Sequence, residues 1–111
     1  MDDGLRVRQH IRAALDEVVR LMDEALAEVG YRPQSGSSLD QVFLLDGAGV
    51  VNDYIEHGEL GLALDHLLYM VEEPPLLISR STFEHIEAAS VVLGVQPARL
   101  DNIRARFARP S

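Results

Sequence analysis

The chain holds 111 residues, of which 47% are hydrophobic and 25% charged, which is material for one domain around one core and too apolar for intrinsic disorder. Cysteine is absent, which excludes a disulfide framework, a thiolate nucleophile and a cysteine-ligated zinc. The formal net charge of −8 sets the chain against nucleic acid and anionic membrane, because both repel it, and favours a basic partner.

Ile11, Leu15, Val18, Met22, Leu26 and Val29 recur at helical spacing, with Arg12, Asp16, Arg20, Asp23 and Glu24 largely elsewhere on the wheel. A first helix is therefore predicted from Leu5 to Val29, capped by Gly30 and barred from continuing by Pro33. Residues 31–38 read as a loop. Ser38 followed by Gln41 fits a capping box for a second helix carrying Leu39, Val42, Phe43 and Leu45. Gly47 and Gly49 interrupt that helix at a cost of about 1 kcal/mol each relative to Ala, so a break or a close helix contact is expected there.

The helical pattern resumes from Val50 to His57, with Gly58 as its cap. Glu59 to Glu73 is the best-defined amphipathic stretch. Leu60, Leu64, Leu67, Leu68 and Val71 share one face, and Asp65, His66, Tyr69, Glu72 and Glu73 the other. Pro74-Pro75 ends it. Leu76-Leu77-Ile78 has no partner strand elsewhere and reads as a buried linker. Ser81 with Glu84 forms a second capping box, opening a helix through Phe83, Ile86, Ala89 and Leu93 that stops at Gly94. Pro97 fits the first turn of a last helix bearing Leu100, Ile103 and Phe107, with Arg104, Arg106 and Arg109 where cations suit the macrodipole. The expectation is an all-α, single-domain protein over 1–111, a compact bundle of five or six helices with frayed ends at 1–4 and 108–111.

Met1-Asp2-Asp3-Gly4 has the wrong charge for a secretory leader, and no apolar run is long enough to span a bilayer, so the cytoplasm is the expected location. The four histidines at 10, 57, 66 and 85 form no compact metal-ligand spacing; His57 and His66 with Glu56 and Asp65 could ligate zinc if their helices met, but solvated helix-surface residues are the favoured reading. Asp46-Gly47-Ala48-Gly49 lacks the third Gly of a dinucleotide fingerprint and the Gly-Lys-Ser/Thr of a P-loop. No Ser stands at a nucleophile elbow. A protein without metal, cofactor or catalysis is expected. A DNA-binding helix-turn-helix would suit the arginines around the last helix, but the net charge opposes it.

The charge is unevenly spread. Residues 1–32 hold seven acids and five Arg, residues 33–79 eight acids and no Arg or Lys, and residues 80–111 three acids and five Arg. Uncompensated carboxylates repel one another, and solubility alone is usually served by mixed charges, so a basic partner explains the central band. If 50–57 is helical, Asp46, Asp53 and Glu56 lie close to one stripe, and Asp65 and Glu72 occupy the same face one helix later. The competing explanation is that these are only the solvated faces of two amphipathic helices. The candidate partner surface comprises Asp46, Asp53, Glu56, Glu59, Asp65, His66, Tyr69, Glu72 and Glu73. Reversing Asp53, Glu56, Asp65 and Glu72 to Lys is expected to leave the fold intact while slowing association.

The stretch Val50 to Leu67, VVNDYIEHGELGLALDHL, followed by Glu72-Glu73, the apolar linker and Ile78-Ser79, resembles the MafI-like immunity proteins of bacterial polymorphic toxin systems. Their recurring feature is an acidic helix leading into an E-H-x-E-x-G-L-A-L-E-x-L run. Glu56, His57, Glu59, Gly61, Leu62, Ala63, Leu64 and Leu67 match in order, with Asp65 in place of the usual Glu. The resemblance covers roughly a third of the chain and leaves out the first helix and the Arg-rich end. It implies a protein that neutralises a toxin of the same cell by binding its toxic domain in the cytoplasm. Such toxins are often nucleases, whose basic cleft would complement the acidic band, with Tyr54 and Tyr69 as candidate anchors. The alternative is an acidic helical adaptor or regulatory subunit, dimeric through its long first helix.

Overall fold

A computed structural model describes residues 3–28, 47–72 and 77–104. The elements in chain order are α1 (Asp3–Glu28), α2 (Gly47–Glu56), α3 (Leu60–Glu72), α4 (Arg80–Leu93), a 3-10 turn (Pro97–Leu100) and a one-turn helix α5 (Asp101–Arg104). The described residues are thus all-helical, with four helices of ten residues or more where five or six were expected. The helix predicted around Leu39 to Leu45, the Gly30 cap and the end of the Arg-rich segment lie outside the described residues.

The helices form two interlocked pairs. In the first, α1 and α4 lie side by side and antiparallel, since Glu17 meets Ser79 and, further toward the N-terminus of α1, His10 meets His85. In the second, α2 and α3 form a hairpin across Gly58. The central element is α3, which touches α1, α2, α4 and α5. It takes that place because Ala63, Leu64, Leu67, Leu68, Met70 and Val71 make one broad, continuous face of it apolar and buried. Val7, Ile11 and Val18 of α1, Val51 and Ile55 of α2, and Ile86 of α4 close over it, each 1% exposed or less. Each such side chain contributes about 1.5–3 kcal/mol on burial.

Helix ends follow local chemistry. Gly58 and Gly94 both take left-handed φ, +74° and +75°, as their predicted role as caps requires. Around each, two hydrogen bonds close the preceding helix in the same pattern: Gly58 N–H to Ile55 O and Glu59 N–H to Tyr54 O, then Gly94 N–H to Val91 O and Val95 N–H to Ser90 O.

One correction concerns a helix start. The N-cap of α4 is Ser79, whose hydroxyl accepts from the Thr82 N–H, while Ser81 is an exposed residue of the first turn. Gly47, the first described residue of α2, is buried where an added Cβ would fall 2.5 Å from Met70 Cε and 2.6 Å from the Met70 sulfur. Close helix contact is therefore the reason for glycine here. Of the described residues of the apolar linker, Ile78 is covered and Leu77 is exposed. Pro97 opens a turn of 3-10 helix before α5 instead of one continuous α-helix.

Candidate partner-binding surface

The central acids divide into two electrostatic settings. Asp53 and Glu56 occupy the last turn of α2, His57 and Gly58 form the turn, and Glu59 leads into α3 by accepting from the Ala63 N–H. All three acids are exposed. At its position Glu59 faces the positive end of the α3 dipole, which favours a carboxylate. Asp53 and Glu56 sit at the negative end of α2, whose last turn holds no basic residue, so the dipole disfavours them. Among the described residues no arginine pairs with any of the three.

The cation in reach is His57. Its Nδ1 lies 2.8 Å from the Asp53 carbonyl oxygen and 3.6 Å from the Asp53 carboxylate. The hydrogen bond to that carbonyl, then the charges of Asp53, Glu56 and Glu59, raise the His57 pKa above its usual value. The corner can therefore offer three carboxylates and one imidazolium on a backbone fixed by the Gly58 turn, which is chemistry for attracting and orienting cations.

Asp65 and Glu72 are placed differently. Arg99, brought over α3 by the 3-10 turn, donates to Glu72 and stands 4.0 Å from Asp65. The side chain of Glu72 is 22% exposed and that of Asp65 73%. The inference from sequence that no Arg or Lys compensates the central acids thus fails at these two positions, because it counted charge along the chain and the compensating group arrives from outside the segment. Reversing Glu72 would set Lys against Arg99.

His66 and Tyr69 lie on α3, half-buried, with ring centroids 5.8 Å apart and planes tilted by 42°. Tyr54 and Tyr69 both pack against the core, so each is only partly open to solvent. Asp46 and Glu73 lie outside the described residues. Among the described residues no group of three or more His, Asp or Glu is placed to hold a metal ion, and no helix is long and apolar enough to cross a membrane.

No family model, characterised protein or solved structure matches this chain.

Sequence reasoning missed three polar contacts: Glu17 with Ser79, Arg99 with Glu72, and His10 with His85. A signal existed for the first. His10, Ala14, Glu17 and Leu21 follow at helical spacing along the edge of the apolar stripe of α1, so Glu17 stands where a carboxylate needs a partner.

Proposed function

We propose that this chain is an immunity protein, which binds a cognate bacterial toxin domain and neutralises it through the acidic corner where α2 turns into α3. The observation that carries this reading is the placement of Asp53 and Glu56, exposed at the negative end of a helix dipole and paired with no arginine among the described residues. Such carboxylates cost the fold stability. A basic surface on a partner supplies the missing countercharge. The Glu56-His57 and Glu59-Leu60-Gly61 pairs, the distinctive part of the resemblance to MafI-like immunity proteins, fall on this same corner.

In this reading the acids act chiefly on the rate of encounter and on partner choice. The half-buried rings of Tyr54, His66 and Tyr69 supply contact area, and the protein works in the cytoplasm without cofactor or catalysis. For the whole chain we keep the expectation of a bundle of five or six helices. The alternative, an adaptor that dimerises through its first helix, is less well supported. Among the described residues of the α1 stripe, Val7, Ile11, Leu15, Val18 and Met22 are already buried within the chain.

The test is co-expression in bacteria with the toxin domain encoded beside this gene. Rescue of growth and co-purification are expected, and D53K/E56K/E59K should keep the helical circular dichroism of the parent yet bind more slowly. Failure of the parent to rescue growth would refute the immunity reading. Unchanged association of the triple variant at low salt would refute the role of the corner.

A further inference from the structure

Among the described residues the most extensive helix pairing, α1 with α4, contains a polar contact that neither packing nor the proposed binding surface uses. His10 and His85, 75 residues apart in sequence, bring their Nδ1 atoms to 2.9 Å. Their ring centroids are 5.1 Å apart and the planes are tilted by 44°. Both imidazoles are half-buried.

A contact between two Nδ1 atoms at this distance needs one proton between them. In the neutral pair, one imidazole is the Nδ1–H tautomer and donates to the Nδ1 lone pair of the other. With one proton added, the imidazolium donates to a neutral partner, and the contact survives. With two added, both Nδ1 atoms are donors, no acceptor remains, and two like charges meet at hydrogen-bond distance.

We propose that the His10–His85 contact is a proton-operated latch: it clasps α1 to α4 with either no charge or one charge on the pair, and parts when both imidazoles are protonated. The proposal does not rest on the immunity reading.

The surroundings oppose the second proton. Burial, the charge of His85 from α4 and the charge of Arg6 one turn earlier on α1 all hold the His10 pKa below its usual value. Glu84 and Glu87 lie within two residues of His85 on α4, and α3 carries Asp65, His66 and Glu72. None of these is among the charges that shift His10. An imidazole that resists protonation in the folded state contributes stability that is intact above its unfolded pKa of about 6.5 and is lost as pH falls below it. Ile11 and Ala14 follow His10 on α1 and Ile86 and Ala89 follow His85 on α4, all buried in the core, so parting the latch loosens the α1 side of the core.

The tautomers can be read directly from the imidazole nitrogens of the intact protein by NMR. Above pH 7.5 one of His10 and His85 is expected in the uncommon Nδ1–H form, and on acidification the pair should titrate in two separated steps. Two Nε2–H tautomers titrating independently near the ordinary histidine value would overturn the proposal. Unfolding by urea from pH 8 to pH 5 supplies the second measurement. The parent is expected to take up about one more proton on unfolding than H10Q/H85Q does over that range. Equal uptake by the two proteins would also overturn it. His57 and His66 remain in both and cancel.

Discussion

The carboxylate of Glu17 on α1 caps the N-terminus of α4, accepting hydrogen bonds from the Ser79 backbone N–H at 2.7 Å and the Ser79 hydroxyl at 2.9 Å. The same hydroxyl accepts from the Thr82 N–H at 3.2 Å. A side chain from one helix thus completes the cap of another 62 residues away, and its charge faces the positive end of the α4 dipole. Glu17→Ala is expected to destabilise the domain by about 1.5–3 kcal/mol, because it strips acceptors from part-buried donors. Ser79→Ala should cost about 1 kcal/mol. Urea unfolding of both singles and the double should show the double losing less than the sum, by about 0.5 kcal/mol or more.

Arg99 covers Glu72 and reaches Asp65 while remaining 37% exposed. Arg99→Ala is therefore expected to cost only about 1 kcal/mol, and to do so in a salt-dependent way. Melting curves at low salt and at 1 M salt provide the check. If the loss is the same in both, the contribution of Arg99 is packing of its aliphatic stem on α3 and not charge.

His57 gains affinity for a proton on folding, first through the Asp53 carbonyl and then through the carboxylates of Asp53, Glu56 and Glu59. A raised pKa means that the stabilising effect is full below the unfolded value of about 6.5 and fades as pH rises through the folded value. The sign is opposite to that of His10. An NMR titration should place the His57 midpoint above 6.5 in the parent. Asp53→Asn should lower it only in part, since the carbonyl acceptor remains.

Leu67 is fully buried on α3, whereas Leu62, on the same helix, is 48% exposed. Leu67→Ala should cost about 2–5 kcal/mol. Leu62→Ala should fall within about 0.5 kcal/mol of the parent. Thermal or chemical unfolding of the two variants tests whether α3 is oriented as described.

Features written in local sequence were legible, and those set by tertiary contact were not. The buried face of α3 could be read because its leucines recur at helical spacing, and the caps at Gly58 and Gly94 because a left-handed residue is cheapest as glycine. The start of α4 was misplaced by two residues. Ser79 and Ser81 both suit an N-cap by local rules, and Glu17, far away in sequence, reinforces Ser79. The candidate surface was legible at Asp53, Glu56 and Glu59, whose exposure follows from their places on α2 and its turn. The countercharge on Glu72 was not legible, because charge summed along a chain says nothing of an arginine that folds back over it.

The two helix pairs also differ in the distance the chain must search to make them. The α2–α3 hairpin closes over a handful of residues around Gly58, while the bonds that clasp α1 to α4 join residues 62 and 75 apart. Loop closure costs more entropy for the longer span, and folding slows when such contacts must form early. The hairpin is thus the natural nucleus, with the clasp closing onto it. Truncating Ile55 should chiefly slow folding, and truncating Ile86 chiefly speed unfolding, so the lifetime of the native state is governed at the α1–α4 seam.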